Sequence, residues 1–443
     1  MSESLLAAKV YVWGSLVGFV SWDSDLEVAS FEYDRKFAQG APVELSPVKM
    51  PKGYSIFSFP ELSKNTFHGL PGLLADSLPD KFGNAVIDAW LATNGRISGS
   101  LNPIEKLCYI GERGMGALEF KPAKYKGRIR SVKIDIQDMV KLASDVLGNK
   151  NKFKDNLDKT EKRNLKETMT NLLVVGTSAG GARAKCIIAF NEKTREIRSG
   201  QIKTSKDFSY WLLKLDGVSA NKDKELVDPQ GFGRIEFAYY CMAIDCGIEM
   251  MESRLLEENT RAHFMTKRFD RSDSGDKIHM QSLCALGHYD FNMAGACSYE
   301  QALEMVRRIV KQNTKQALEQ QFLRAVFNIV GRNQDDHTKN IAFLMDRYGN
   351  WRLSPAYDMA YSFNPNGEWT SKHQMSLNGK REAFALDDLI KFGEKAELKK
   401  AQALKLIHKV EDVFSNWRTY AKKCQVFTSQ TNDISKNIRK LVG

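Results

Sequence analysis

The chain has 443 residues, 42% of them hydrophobic, including 24 Phe, 14 Tyr and 7 Trp; it can fill two or three packed domains, and the disordered and low-complexity classes are excluded. Its longest apolar runs, LLVV (172–175) and CIIAF (186–190), fall far short of the roughly 18 residues of a membrane helix, so a membrane span is excluded too. The 65 Lys and Arg exceed the 54 Asp and Glu, net +11, which suits a negatively charged partner such as a nucleotide or nucleic acid.

The excess is densest over 401–443, where eight basic residues face three acidic ones, as a solvated helical face or as a nucleic-acid contact surface. Met1 to Ser15 lack the pattern of a secretory signal. Seven cysteines form no CxxC pair, which suits free thiols in a reducing cytoplasm better than a zinc site.

From the N-terminus, KVYVWGSLVGFVSW (9–22) alternates as a hairpin with Gly14-Ser15 as its turn. Helical spacing follows in DKFGNAVIDAWLATNG (80–95), and GERGMGALEF (111–120) reads as a structural turn and strand. Residues 126–170 are dominated by charge and predict an exposed helix or linker. Then the pattern turns β-rich: NLLVVG, AKCIIAFN, YWLLKLDG, MMESRLLEEN and RAHFMTKRFD predict strands, with one helix over 233–247 among them. Beyond residue 290 helical periodicity takes over, with Leu318, Phe322, Val326 and Val330 on one face. The expectation is an α+β fold: an N-terminal α/β module (1–125), a β-rich lobe (126–270) and a helical lobe (271–443).

Several short stretches carry chemistry. VVGTSAGGARAK (174–185) places Gly176, Gly180 and Gly181 where backbone N–H groups can approach phosphate oxygens. Ala182 and Arg183 occupy the Walker Lys and Ser/Thr positions, and the loop lies between β-type runs, as a kinase glycine loop does; an ordinary hairpin turn is the competing reading. Lys214, a lone cation in the strand YWLLKLDG, either points to solvent from an edge or reaches the α and β phosphates, with Glu236 on the next helix as its ion-pair partner.

NQDDHTKN (333–340) sets two carboxylates, a histidine and a lysine between apolar flanks, and such charge needs compensation if buried. Asp335 and Asn340 have the Asp-x4-Asn spacing of a kinase catalytic loop, Asp335 to accept a hydroxyl proton and Asn340 to bind Mg²⁺. IAFLMDRYGNWRLSP then predicts a hairpin turned at Tyr348-Gly349-Asn350 that delivers Asp358 as a second metal ligand. His337 and Lys339 either brace the loop or touch phosphate. Glycine loop, strand lysine, helix glutamate, Asp-x4-Asn and a hairpin-borne Asp follow one another in kinase order, so the lobes predict a bilobal protein-kinase-like fold.

These motifs, with GERGMGALEF, KRFDR (267–271) and SPAYDM, resemble the HipA-type serine/threonine kinases, toxins of bacterial toxin–antitoxin pairs, over nearly the whole chain. The resemblance implies ATP and Mg²⁺ as cofactors; Lys214 on the phosphates; Asp335 as base; Asn340 and Asp358 on the metal; the backbone of Phe269 at adenine; Asp270 at the ribose; and Ser178, or Thr177 beside it, as an autophosphorylation site. It also implies a helix-turn-helix antitoxin, operator DNA through that complex, a cytosolic protein target such as an aminoacyl-tRNA synthetase, and a homodimer as a form to test. Asp336 departs from the pattern, adding a carboxylate where a small residue is familiar. Two other functions fit the same residues: a small-molecule phosphotransferase, and a non-catalytic nucleotide-binding co-repressor.

Overall fold

The structure is a computed structural model and describes residues 6–122, 134–148, 176, 183–201, 204–218, 222–223, 226–227 and 230–441. Strands β1 (Ala7–Val12) and β2 (Ser15–Asp23) form the expected hairpin. Its turn is Trp13-Gly14, one residue earlier than expected, with φ of +49° and +82°. Two positive φ values match the right-handed twist of the flanking strands, and glycine at the second position lowers the cost. β3 (Val28–Tyr33), β4 (Ile56–Phe57) and β5 (Leu118–Lys121) complete a sheet in the order β4-β3-β2-β1-β5. Alternate residues Val10, Val12, Val20 and Phe31 are buried, as period-2 patterning requires.

A second sheet, β11-β12-β8-β6-β7, is built from β6 (Lys185–Asn191), β7 (Ile197–Ser199), β8 (Phe208–Lys214), β11 (Ser253–Glu258) and β12 (Arg261–Lys267). A short ribbon, β9 (Lys222–Asp223) with β10 (Leu226–Val227), stands apart from it. One face of the sheet presents Cys186, Ile188, Trp211 and Leu213 to a core shared with Phe82 and Val86 of the helix Lys81–Thr93 and Met139 and Val140 of the helix Ile136–Gly148. Each such large side chain contributes about 1.5–3 kcal/mol on burial. The charged stretch expected to be an exposed helix or linker thus contains a helix with one buried face, because Ile136, Met139, Val140 and Ala143 recur at helical spacing. Residues 149–170 lie outside the described residues.

β13 (His279–Ser282), β14 (Ala342–Met345) and β15 (Trp351–Leu353) form a three-stranded sheet, with β14 and β15 the expected hairpin. Around it stand helices Phe232–Cys246, Tyr299–Ile309, Thr314–Val330, Leu386–Lys395, Lys400–Ser415, Trp417–Lys423 and Thr428–Asn437. Tyr239 packs edge-on against Phe327, Phe414 and Trp417, with ring centroids 5.7–5.9 Å away. Gly331 ends the helix Thr314–Val330 beneath the Phe414 ring, where a Cβ would lie 2.3 Å from a ring carbon; only glycine fits this approach.

The chain divides into two compact units that do not follow chain order. The first contains 1–42, 52–230 and 254–279; the second contains 43–51, 231–253 and 280–443. Within the first, the N-terminal module is tied to the segment after β12: Trp13 donates its indole N–H to the Lys277 carbonyl (2.9 Å), and Lys277 pairs with Glu119 (2.8 Å). Within the second, the Trp351 indole donates to the Glu44 carbonyl, so a short early segment serves the later unit. Among the described residues no helix is long and apolar enough to cross a membrane.

Candidate active site

The loop after the helix Thr314–Val330 turns inward at once: the Asn333 N–H donates to the Asn328 carbonyl, and Asn333, Gln334, Asp336 and Thr338 are buried. A 3₁₀ turn over Thr338–Asn340 follows. The His337 N–H donates to the Asp335 carbonyl and the Asn340 N–H to the His337 carbonyl, each at 2.9 Å. The Asn340 side-chain amide also donates to the Asp335 carbonyl at 2.9 Å. The Asp-x4-Asn spacing therefore closes a hydrogen-bonded loop, and because the Asn340 amide N is committed, its Oδ1 is turned out as an acceptor.

The two adjacent carboxylates part company. The Asp335 side chain is 34% exposed, and its Oδ1 accepts the Trp369 indole N–H at 2.6 Å. Asp336 is buried: its Oδ2 accepts the Tyr299 hydroxyl (2.6 Å) and lies 2.8 Å from His373 Nδ1, while its Oδ1 accepts the Gln374 N–H (2.7 Å). An ionised carboxylate only accepts, so the His373 proton sits on Nδ1. Burial pushes the Asp336 carboxyl up, but His373, the Tyr299 hydroxyl and the Gln374 amide outweigh it and hold it below the usual carboxylate range. The unfamiliar second carboxylate is thus an internal anchor.

Asp358 arrives by the hairpin, whose turn is closed by Asp346 Oδ1 accepting the N–H groups of Tyr348 and Asn350. The Ala356 N–H donates to the Glu249 carbonyl, and the Tyr357 hydroxyl to the Lys339 carbonyl at 2.6 Å. Asp358 itself has φ +52°, a conformation that costs a non-glycine residue energy and is typical of sites the surroundings over-determine. Its carbonyl accepts from Asn333 Nδ2 at 3.2 Å.

Asp358, Asn340 and His337 line one cavity of about 20 Å³ with Asn333, Gln321 and Arg324. Asn333 Oδ1, both Gln321 amide atoms and Arg324 Nε are buried there without a partner among the described residues. The donor set is one carboxylate and one carboxamide oxygen; among the described residues no three His, Cys, Asp or Glu side chains are grouped so that they could hold a metal ion. Hard, sparse oxygen ligands fit Mg²⁺, which takes the rest of its shell from phosphates and water, and not zinc. His337 packs edge-on to Phe291 (5.2 Å) with its Nε2 3.8 Å from Asp335 Oδ1, and the Lys339 ammonium sits 4.8 Å from the same Phe291 ring.

In the first unit Lys214 ends β8, opposite Lys185 on β6 and Phe264 on β12, with its Nζ 5.8 Å from the Phe264 ring centre. Lys185 is buried 3.6 Å from Asp80, whose other oxygen caps the helix Lys81–Thr93. Phe269 is partly exposed. Asp270 is 0% exposed: its carboxylate accepts from Arg268 Nε (2.8 Å) and Nη2 (2.7 Å), Arg271 Nη1 (2.8 Å) and the Gly116 N–H (2.7 Å). Burial raises its carboxyl, yet the two guanidinium groups hold it well below the usual range. Through the Gly116 N–H, Asp270 holds the GERGMGALEF turn, and Arg271 bonds to the Gly114 and Gly116 carbonyls beside it. Glu236 is buried on Phe232–Cys246, a helix of the second unit that packs on Lys400–Ser415 and Trp417–Lys423. Thr177, Ser178, Gly180, Gly181 and Ala182 lie outside the described residues.

Trp369, Tyr299, His373 and Gln374 escaped the sequence reading. No spacing rule joins EWTSKHQM to the catalytic loop, and only an indole beside polar residues hinted at a buried donor.

Residues 177–417 match the HipA-like C-terminal domain and residues 8–121 the HipA N-terminal domain. The chain belongs to the HipA family. Asp335, Asn340, Asp358 and Trp369 all fall in the HipA-like C-terminal domain, and the β1–β5 sheet in the HipA N-terminal domain. The Shewanella oneidensis structure of HipA with HipB and operator DNA matches at TM-score 0.65 and 15% identity, over 97% of this chain and 94% of that one. At that identity the likeness speaks for the fold, and the α+β, kinase-like fold with an extra N-terminal module expected from the sequence agrees with it. The Helicobacter pylori proinflammatory kinase CtkA aligns at TM-score 0.31 and 10% identity, over 51% of this chain and 92% of that one, too distant to carry an argument. No curated protein matches the chain significantly in sequence.

Proposed function

We propose that this HipA-family chain is an ATP- and Mg²⁺-dependent serine/threonine protein kinase and the toxin of a toxin–antitoxin pair. One observation carries the reading: a partly exposed Asp335 on a loop whose Asn340 shares a cavity with Asp358. Asp335 accepts the proton of a serine or threonine hydroxyl as that oxygen bonds to the γ-phosphorus, and the bond from phosphorus to the β–γ bridging oxygen breaks to release ADP. Asn340 and Asp358 would hold Mg²⁺, which neutralises charge on the phosphates. Lys214, with Glu236 as its partner, and the loop containing Gly180, Gly181 and Ala182 would hold the triphosphate, and the Phe269 backbone would meet adenine. Catalysis of this kind rests on positioning and charge neutralisation.

Ser178 is the proposed autophosphorylation site; a phosphate there adds roughly −1.5 to −2 charges beside the triphosphate and would eject the loop. The Shewanella oneidensis HipA structure contains HipB and operator DNA. By extension, the partner proposed here is a DNA-binding helix-turn-helix antitoxin, and the target a cytosolic protein such as an aminoacyl-tRNA synthetase.

The test is incubation of the purified chain with γ-labelled ATP and magnesium. Label on Ser178 and on a protein substrate, reduced roughly 10²–10⁴-fold in Asp335→Ala with ATP binding kept, is the expected result. Undiminished transfer by Asp335→Ala, or label on a metabolite alone, overturns it.

A further inference from the structure

Trp369 lies 34 positions beyond Asp335, yet its indole N–H reaches Asp335 Oδ1 at 2.6 Å. Nothing about an indole is suited to proton transfer: it donates and does not accept at nitrogen. A carboxylate oxygen capped by such a donor is held in place, and the charge-assisted bond stabilises the ionised form. The segment that brings Trp369 there is itself tied to the catalytic loop. The Gln334 side-chain amide donates to the Thr370 carbonyl at 3.2 Å, and the Gln374 side-chain amide bonds to the Trp369 carbonyl. Asp336, next to Asp335, takes the Gln374 N–H on one oxygen and the Tyr299 hydroxyl and His373 ring on the other.

We infer that Trp369 is a positioning residue for Asp335: it fixes Oδ1, beside which His337 Nε2 stands at 3.8 Å, and Asp336 anchors the 369–374 segment that delivers it. The adjacent carboxylates divide the work, Asp335 facing the substrate and Asp336 holding the strap that orients its neighbour. This role rests on the kinase reading above. It explains why two acids occur in sequence although one base suffices.

The experiment replaces Trp369 with β-(3-benzothienyl)alanine, which keeps the ring shape and puts sulfur where the N–H was, and compares it with the native chain and Trp369→Phe. Loss of one charge-assisted hydrogen bond predicts a kcat for phosphate transfer lower by about 10- to 100-fold, with KM and Kd for ATP unchanged; a packing role would leave the isosteric chain at the native kcat. Separately, of the seven indole N–H resonances of the nucleotide-free protein, the one missing in Trp369→Phe should lie far downfield and move upfield in Asp335→Asn. Native kcat in the isosteric chain, or an indole resonance indifferent to Asp335→Asn, overturns the inference while leaving the kinase reading intact. A native chain that transfers no phosphate sinks that reading and this role together.

Discussion

The Tyr299 hydroxyl donates to Asp336 Oδ2 at 2.6 Å, joining the start of the helix Tyr299–Ile309 to a loop 37 positions later. Burial, and then the Asp336 charge, push the phenol well above its usual range, so it remains a donor. Asp336→Ala strands the Tyr299 hydroxyl, the His373 ring and the Gln374 N–H in a dry interior and should cost about 3–5 kcal/mol; Tyr299→Phe removes one of three donors and should cost about 1–3 kcal/mol. Urea unfolding measures both. A near-neutral Asp336→Ala would mean that this carboxylate anchors nothing.

Asp270 supports the first unit in the same way, against two guanidinium groups. Its carboxyl lies lower in the folded than in the unfolded chain, so its contribution is complete above the ordinary carboxylate value of about 3.9 and is lost as pH falls toward the folded value. Asp270→Asn should lose about 3–5 kcal/mol at neutral pH, and the gap to the native chain should narrow below pH 4. A gap independent of pH in urea titrations would count against the charge pairing.

His263 Nδ1 accepts the Asp216 N–H at 2.8 Å, which requires a neutral ring at that nitrogen. Burial, opposed by Asp216 and aided by Arg261, brings its pKa down from 6.5 to about 4. The unfolded chain therefore binds one more proton between those values, and stability falls as pH drops from 6.5 to 4, by up to about 3 kcal/mol. His263→Gln should remove that slope from a plot of unfolding free energy against pH; an unchanged slope refutes the assignment.

Cys241 is half-buried and is brought down to about 7 by the hydrogen bond from the Cys424 thiol, against burial and with help from Lys423. Burial pushes Cys186, Cys246 and Cys297 up to about 12. Thiolates are the reactive form, so iodoacetamide at pH 7.5 should modify Cys241 first, as peptide mass spectrometry would show. Cys424→Ala should slow it. Faster labelling of any of the three buried thiols would contradict this order.

Asn340→Ala removes one of the two proposed metal oxygens and the bond to the Asp335 carbonyl. Since loss of a merely supporting group costs roughly 10- to 100-fold in metal affinity or activity, the magnesium needed for half-maximal transfer should rise at least tenfold. An unchanged magnesium requirement would place the cation elsewhere.

Much of the candidate site was legible because it is local. The Asp-x4-Asn loop, the hairpin turn before Asp358 and the helix Lys81–Thr93 are held by near neighbours in the chain, so spacing and residue type sufficed to read the loop, the turn and the helix, though not the bonds that close them. Even here the first hairpin turned one residue early, at Trp13-Gly14, since strand twist rather than turn composition chose the positive-φ pair.

By itself the sequence determined the periodic elements, the order of the chemical motifs and the resemblance to one family, because periodicity and spacing are properties of neighbouring residues. Tertiary structure decided which of two adjacent acids faces outward, that Asp270 spends its charge on two arginines, and that Trp369 caps Asp335. It also gave 43–51 and 231–253 to the later unit. Trp369 and Tyr299 lie 34 and 37 positions from the acids they meet, and although Arg268 and Arg271 are near neighbours of Asp270, a buried charge goes wherever packing supplies donors, which no local pattern records.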